Sequence, residues 1–190
     1  MPSPPVTYSS YLQLDELLAL QRPGPEHDET LFIIVHQVYE LWFKEMLHEL
    51  DYLQGLLRAN DRSRALHTFK RILTILKVLV AQLDILETMT PLEFLSFRER
   101  LEAASGFQSD QFRQIEFVLG TKSDRAIQRF SEGSRARIAL ERRKHEHTLW
   151  DAFLHYLARE GYGVDAWWAA EPGPEDKTVS REVLRLTPGM

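Results

Sequence analysis

Cysteine is absent from all 190 residues. This removes disulfides, thiolate metal sites and cysteine nucleophiles, fits a reducing compartment, and leaves any metal to histidine, carboxylate or a cofactor. Positive charge is also scarce. The 23 Lys and Arg against 28 Asp and Glu give a net charge of −5, without the excess that phosphate binding draws upon, so nucleic acid is not an expected partner. No apolar run reaches the length of a membrane span, and mean hydropathy is −0.31. The opening MPSPPVTYSS lacks the basic and apolar stretches of a secretory signal. The expectation is a cytoplasmic chain of one domain's length.

Proline is nearly missing where it would matter: of nine, only Pro91 falls between Glu26 and Glu171. Proline removes a helix donor and clashes with the preceding turn, so its exclusion from a stretch rich in Leu, Glu, Arg and Ala argues for helices. Strand-like alternation and Asn-Gly or Asp-Gly hairpin signals are missing too, which makes the expected fold all-α, a bundle of long antiparallel helices.

A long helix should open near Asp28 and run through ETLFIIVHQVYELWFKEMLHELDYLQGLLRA, its apolar residues recurring at three- and four-residue steps from Leu31 to Leu57. A second is expected over about 63–89, joined through the short Asn60-Asp61-Arg62 connection. Thr90-Pro91-Leu92-Glu93 reads as a capping box opening a third helix through Leu101 or beyond. Ser109 or Asp110 should cap a fourth that Gly120 ends. Weaker stretches follow at 124–131, 134–144 and 147–160, with residues 1–25 as an arm and 168–190 as a loose tail.

His36 is the first candidate for chemistry, because it interrupts the apolar run FIIVHQVYELWF, where a polar ring needs a partner or a purpose. Phe32 lies one turn before it and Tyr39 to Trp42 one turn after; a core histidine bonded to a backbone carbonyl is the plainer alternative. Phe94, Arg98, Leu101 and Ser105 step by four, three and four, so on one continuous helix they form a stripe. Its arginine could hold a carboxylate by two parallel hydrogen bonds, or simply reach solvent. Glu45-Met46-Leu47-His48 matches the Glu-x-x-His element of di-iron bundles, although no second copy occurs. The basic cluster Arg135, Arg137, Arg142, Arg143 and Lys144 is interleaved with glutamates and reads as a solvated helix face, and His27 and His67 read as solvated too.

The strings TYSSYLQLDELLALQ (7–21), HDETLFIIVHQVYELWFKEMLHEL (27–50), TPLEFLSFRERLEAASGFQSDQFRQIEFVLG (90–120) and HTLWDAFLHYL (147–157) together resemble tryptophan 2,3-dioxygenases, in order and spacing. The resemblance implies a cytoplasmic all-α homotetramer that binds haem b. It implies insertion of both atoms of O₂ across the indole C2–C3 bond of L-tryptophan to give N-formylkynurenine, a step of tryptophan catabolism by the kynurenine pathway. Carried over by position, His36 becomes the distal histidine that hydrogen-bonds the indole N–H. Phe32 and Phe94 become walls of the indole pocket, Phe94 standing where several relatives have tyrosine. Arg98 becomes the clamp for the substrate carboxylate, Leu101 lines the pocket, and Ser105 lies by haem edge and substrate. Phe32, His36 and Ser105 would thus face the cofactor. Tyr8, Tyr11 and Leu12 correspond to a segment that reaches a neighbouring subunit's site. The family's proximal histidine and its GTGGSSG-like segment have no counterpart in these 190 residues, since none of His27, His48, His67, His145, His147 or His155 has the matching context and Gly-Gly never occurs. A non-catalytic helical module binding an indole or amino acid, and a di-iron oxidase built on Glu45 and His48, are the alternative readings.

Overall fold

The computed structural model describes residues 5–101 and 108–164, and among these every regular element is helical, as the sequence requires. The helices are α1 (Tyr8–Leu12), α2 (Leu14–Leu18), α3 (Glu29–Arg58), α4 (Arg62–Ala81), α5 (Leu83–Leu86), α6 (Pro91–Arg98), α7 (Asp110–Val118), α8 (Asp124–Ile127), α9 (Arg135–His145) and α10 (Leu149–Arg159). The tail at 168–190 and Ser105 lie outside the described residues.

The turn from α3 to α4 follows from two adjacent side chains. Asn60 takes a left-handed conformation (φ 60°), which asparagine tolerates better than most residues. The Asn60 and Asp61 amides then donate to the Leu57 and Leu56 carbonyls, closing the end of α3 in a Schellman motif. Asp61 in turn caps α4, its carboxylate accepting from the Arg64 amide at 3.1 Å. Gly120 (φ 109°) ends α7 in the same manner.

The expected single helix over 63–89 is instead two, α4 and α5, parted at Gln82. At this point α3 makes contact: the Tyr39 hydroxyl donates to the Leu79 carbonyl at 2.7 Å, giving that carbonyl a partner where the helix breaks. The basic cluster also departs from expectation at one residue. Arg143 is buried, and its guanidinium forks onto both Asp51 oxygens at 2.6 Å each. That pair, with Glu146 at 3.0 Å, ties α9 to α3 and holds the Arg143 pKa above its ordinary value, chiefly through the Asp51 hydrogen bonds.

The main core forms where α3 meets α4, α7 and α10. Met46, Leu50, Leu53 and Leu57 pack with Ala65, Ile72, Ile75, Leu79, Ile115, Val118 and Ala152. Leu50 and Leu53 are fully buried, and each such side chain stabilises the fold by roughly 1.5–3 kcal/mol. α7 serves two cores, because Phe117 points the other way, to Ala126, Ile127 and Leu140.

Candidate functional site

The amino-terminal half of α3 continues beyond the main core, and there Glu29, Phe32 and His36 share one face by their three- and four-residue steps. α6 comes alongside. Its start is set by the expected capping box: the Thr90 amide donates to the Glu93 carboxylate at 2.7 Å, the Glu93 amide to the Thr90 hydroxyl at 3.3 Å, and Pro91 takes the first helical position. Phe94 and Phe97 therefore fall one turn apart.

These residues meet as an aromatic cluster. The Phe32 ring lies 4.1 Å from the His36 ring, 5.8 Å from Phe94 and 5.5 Å from Phe97, and Phe94 meets Phe97 edge-on at 5.5 Å and 85°. Phe97 is fully buried and forms the floor. Reasoning from residues alone passed over Phe97. The signal was available in its three-residue step from Phe94, which puts both rings on one side of a short helix.

His36 is half-buried, and its Nδ1 lies 2.7 Å from the Phe32 carbonyl oxygen. A carbonyl can only accept, so Nδ1 is the donor in this contact, which leaves Nε2 as the nitrogen able to accept when the ring is neutral. The plainer expectation, a histidine bonded to a backbone carbonyl, is thus met at one nitrogen, while the other stays available.

Arg98 follows Phe97 at the carboxyl end of α6 and is exposed. The continuous stripe expected from Phe94 to Ser105 does not persist as α-helix. After Arg98 the chain tightens into a 3₁₀ turn over Glu99–Leu101, which advances each residue by about 120° rather than 100° and takes Leu101, half-buried, off the Phe94 line. Arg100 in this turn is bound to Glu29 at 2.7 Å. Tyr8 and Tyr11 lie on α1 with 77% of their surface exposed, and Leu12 is exposed beside them. Gln21, after α2, hydrogen-bonds Gln37 at 2.5 Å and so fixes the arm next to His36.

The di-iron reading does not assemble. His48 is exposed, Glu45 lines an open groove of about 540 Å³ with Trp42, Arg71 and Ile75, and among the described residues no group of three or more potential ligands gathers. That groove contains none of Phe32, His36, Phe94 or Arg98. No helix among the described residues is long and apolar enough to cross a membrane.

Comparison with known proteins bears on the same residues. The family model for tryptophan 2,3-dioxygenase matches residues 3–186. A tryptophan 2,3-dioxygenase of Herpetosiphon aurantiacus is 61% identical, the match covering 96% of this chain and 74% of the relative. Those of Anaeromyxobacter sp. (strain K) and Anaeromyxobacter dehalogenans are 52% and 53% identical over 84% and 89% of this chain. The chain spans 60% and 63% of the length of these two relatives. Since the family match runs from the α1 arm through the aromatic cluster and past α10, this chain belongs to the tryptophan 2,3-dioxygenase family.

Proposed function

We propose that the chain is an oxidoreductase of tryptophan catabolism, binding L-tryptophan between the Phe32–His36–Phe94 cluster and Arg98 for insertion of O₂ across the indole C2–C3 bond to give N-formylkynurenine. One observation carries the reading: the His36 Nδ1 is committed to the Phe32 carbonyl, which leaves Nε2, in the neutral ring, as the nitrogen able to accept beside an aromatic wall. An indole N–H is a donor only, and a bare imidazole nitrogen beside aromatic surface is the partner it requires. Phe32 and Phe94 would flank the indole on the Phe97 floor and exclude water, while the exposed Arg98 could fork onto the α-carboxylate. Leu101 would close the apolar side, and Ser105 is assigned a place by haem edge and substrate. These side chains then supply orientation and a dry site.

The apolar wall of Phe32 and Phe94, with the His36 imidazole beside it, suits one face of haem b, and Phe32, His36 and Ser105 are the residues proposed to face it. When bound, haem supplies O₂ activation, which no side chain here can provide. The reading extends to residues 1–190 as one family domain, to a cytoplasmic location and to a homotetramer. In that assembly Tyr8, Tyr11 and Leu12, exposed in the single chain, cover a neighbour's site.

Calorimetric titration with L-tryptophan and 1-methyl-L-tryptophan tests the reading. The wild-type protein should prefer L-tryptophan by roughly tenfold, the cost of leaving one buried acceptor unpaired, and His36→Ala should erase the preference. Equal affinity of the wild-type protein for both compounds would overturn it.

A further inference from the structure

Glu29 has no part in the chemistry proposed above, yet it is buried at the start of α3 with a single oxygen engaged twice. Its Oε2 accepts from the Gly24 amide at 2.6 Å and from the Arg100 guanidinium at 2.7 Å. Three stretches of chain meet at that atom: the loop leading into α3, the first turn of α3, and the 3₁₀ turn after α6. Arg100 stands two residues beyond Arg98 and three beyond Phe97, while Glu29 stands one and two turns before Phe32 and His36 on the same face of α3. The ion pair therefore joins the helix bearing the imidazole to the segment bearing the guanidinium.

From this arrangement we infer that Glu29 is a positioning residue for the substrate-carboxylate clamp: acting through Arg100, it sets the register of Arg98 against His36. Gly24 supplies an independent observation. A Cβ at this position would sit 2.7 Å from the Glu29 Oε2 and 2.8 Å from the Arg100 guanidinium carbon, so any larger residue would push the two side-chain ends of the ion pair aside. The aromatic contacts of Phe32 with Phe94 and Phe97 hold α6 laterally, but rings can slide and tilt at little cost. A charge-assisted bond to a buried carboxylate fixes position along the helix. A two-point amino-acid clamp depends on the distance between its points, which is what this contact controls.

The inference rests on the proposed tryptophan site, and its test separates the two. Calorimetry on the full 190-residue chain compares L-tryptophan with 3-methylindole, which offers the indole N–H and no carboxylate. In Glu29→Gln and in Gly24→Ala, L-tryptophan should bind about tenfold more weakly, as expected when a charge-assisted bond is misplaced, with 3-methylindole affinity unchanged. Arg100→Lys, which keeps the charge, should recover most of the affinity that Arg100→Met loses. If Arg98→Ala weakens L-tryptophan binding while Glu29→Gln and Gly24→Ala bind it like the wild-type protein, the positioning role is refuted and the site stands. Equal weakening of both ligands in the Glu29 and Gly24 variants would also refute it, by showing a general structural role. A wild-type protein that binds neither ligand would overturn the site and this inference together.

Discussion

Truncation of Phe97 to alanine probes the aromatic floor most directly. The ring is fully buried and meets both Phe32 and Phe94 at 5.5 Å, so Phe97→Ala removes a whole buried ring and two ring contacts from one place. Phe-to-Ala changes in cores cost about 3–5 kcal/mol, and each ring pair accounts for roughly 0.5–1.5 kcal/mol beyond area. The upper half of that range is expected here, because α6 is short and, Phe94 apart, its other large apolar residues, Leu92 and Leu95, are exposed and cannot refill the space. For a chain of this size such a loss, about 4–5 kcal/mol, lowers the melting temperature by about 8–20 °C. Phe97→Leu, which keeps most of the volume, should cost less than about 1.5 kcal/mol. Urea unfolding followed by circular dichroism measures both variants. A loss below about 1 kcal/mol for Phe97→Ala would refute the reasoning, since it would mean that the ring is not packed between Phe32 and Phe94.

Three further outcomes follow from local geometry. Tyr39→Phe leaves the Leu79 carbonyl without its hydroxyl donor and should destabilise the fold by about 1 kcal/mol, with faster amide exchange confined to the junction of α4 and α5. The Asp61 carboxyl is held below its ordinary 3.8, first by the Arg64 amide and then by the Arg64 side chain. Its stabilising contribution is therefore complete above 3.8 and lost as pH falls through the lower folded value, so Asp61→Asn should flatten the acid limb of a stability-against-pH curve below 3.8. Gly120→Ala forces a side chain into left-handed backbone at φ 109° and should cost about 1 kcal/mol or more in thermal unfolding, although the added methyl meets nothing within 4 Å.

Features that depend on neighbours a few residues apart were legible in the sequence. The run of α3, the Asn60-Asp61 turn, the Thr90 capping box and the Ser109 cap of α7 each rest on side chains within one or two turns of one another. What escaped rests on partners far apart in the chain. The break at Gln82 goes with Tyr39 reaching Leu79, the burial of Arg143 with its fork onto Asp51, and the tightened turn after Arg98 with Arg100 reaching Glu29. Arg143 illustrates the difficulty: in RRKHE it is indistinguishable from the exposed Arg142, and only the fold shows which of the two faces α3. At the candidate site, His36, Phe32 and Phe94 stood out as a polar ring and aromatics at helical spacing. Phe97 and Glu29 did not, since one looks like any core phenylalanine and the other like any acidic first-turn residue.

The length of α3 has a mechanical corollary. Its thirty residues form one continuous rod, packed most deeply on α4, α7 and α10 around Leu50 and more lightly, through Gln37 and Tyr39, near His36. From Leu50 to His36 is fourteen residues, or about 21 Å at 1.5 Å per residue, so a tilt of about 3° at the gripped end swings the imidazole by roughly 1 Å. Cavity-forming changes deep in the bundle, such as Leu50→Ala, would thus act on His36 as a hand acts on the tip of a lever, detuning a remote ring without touching it.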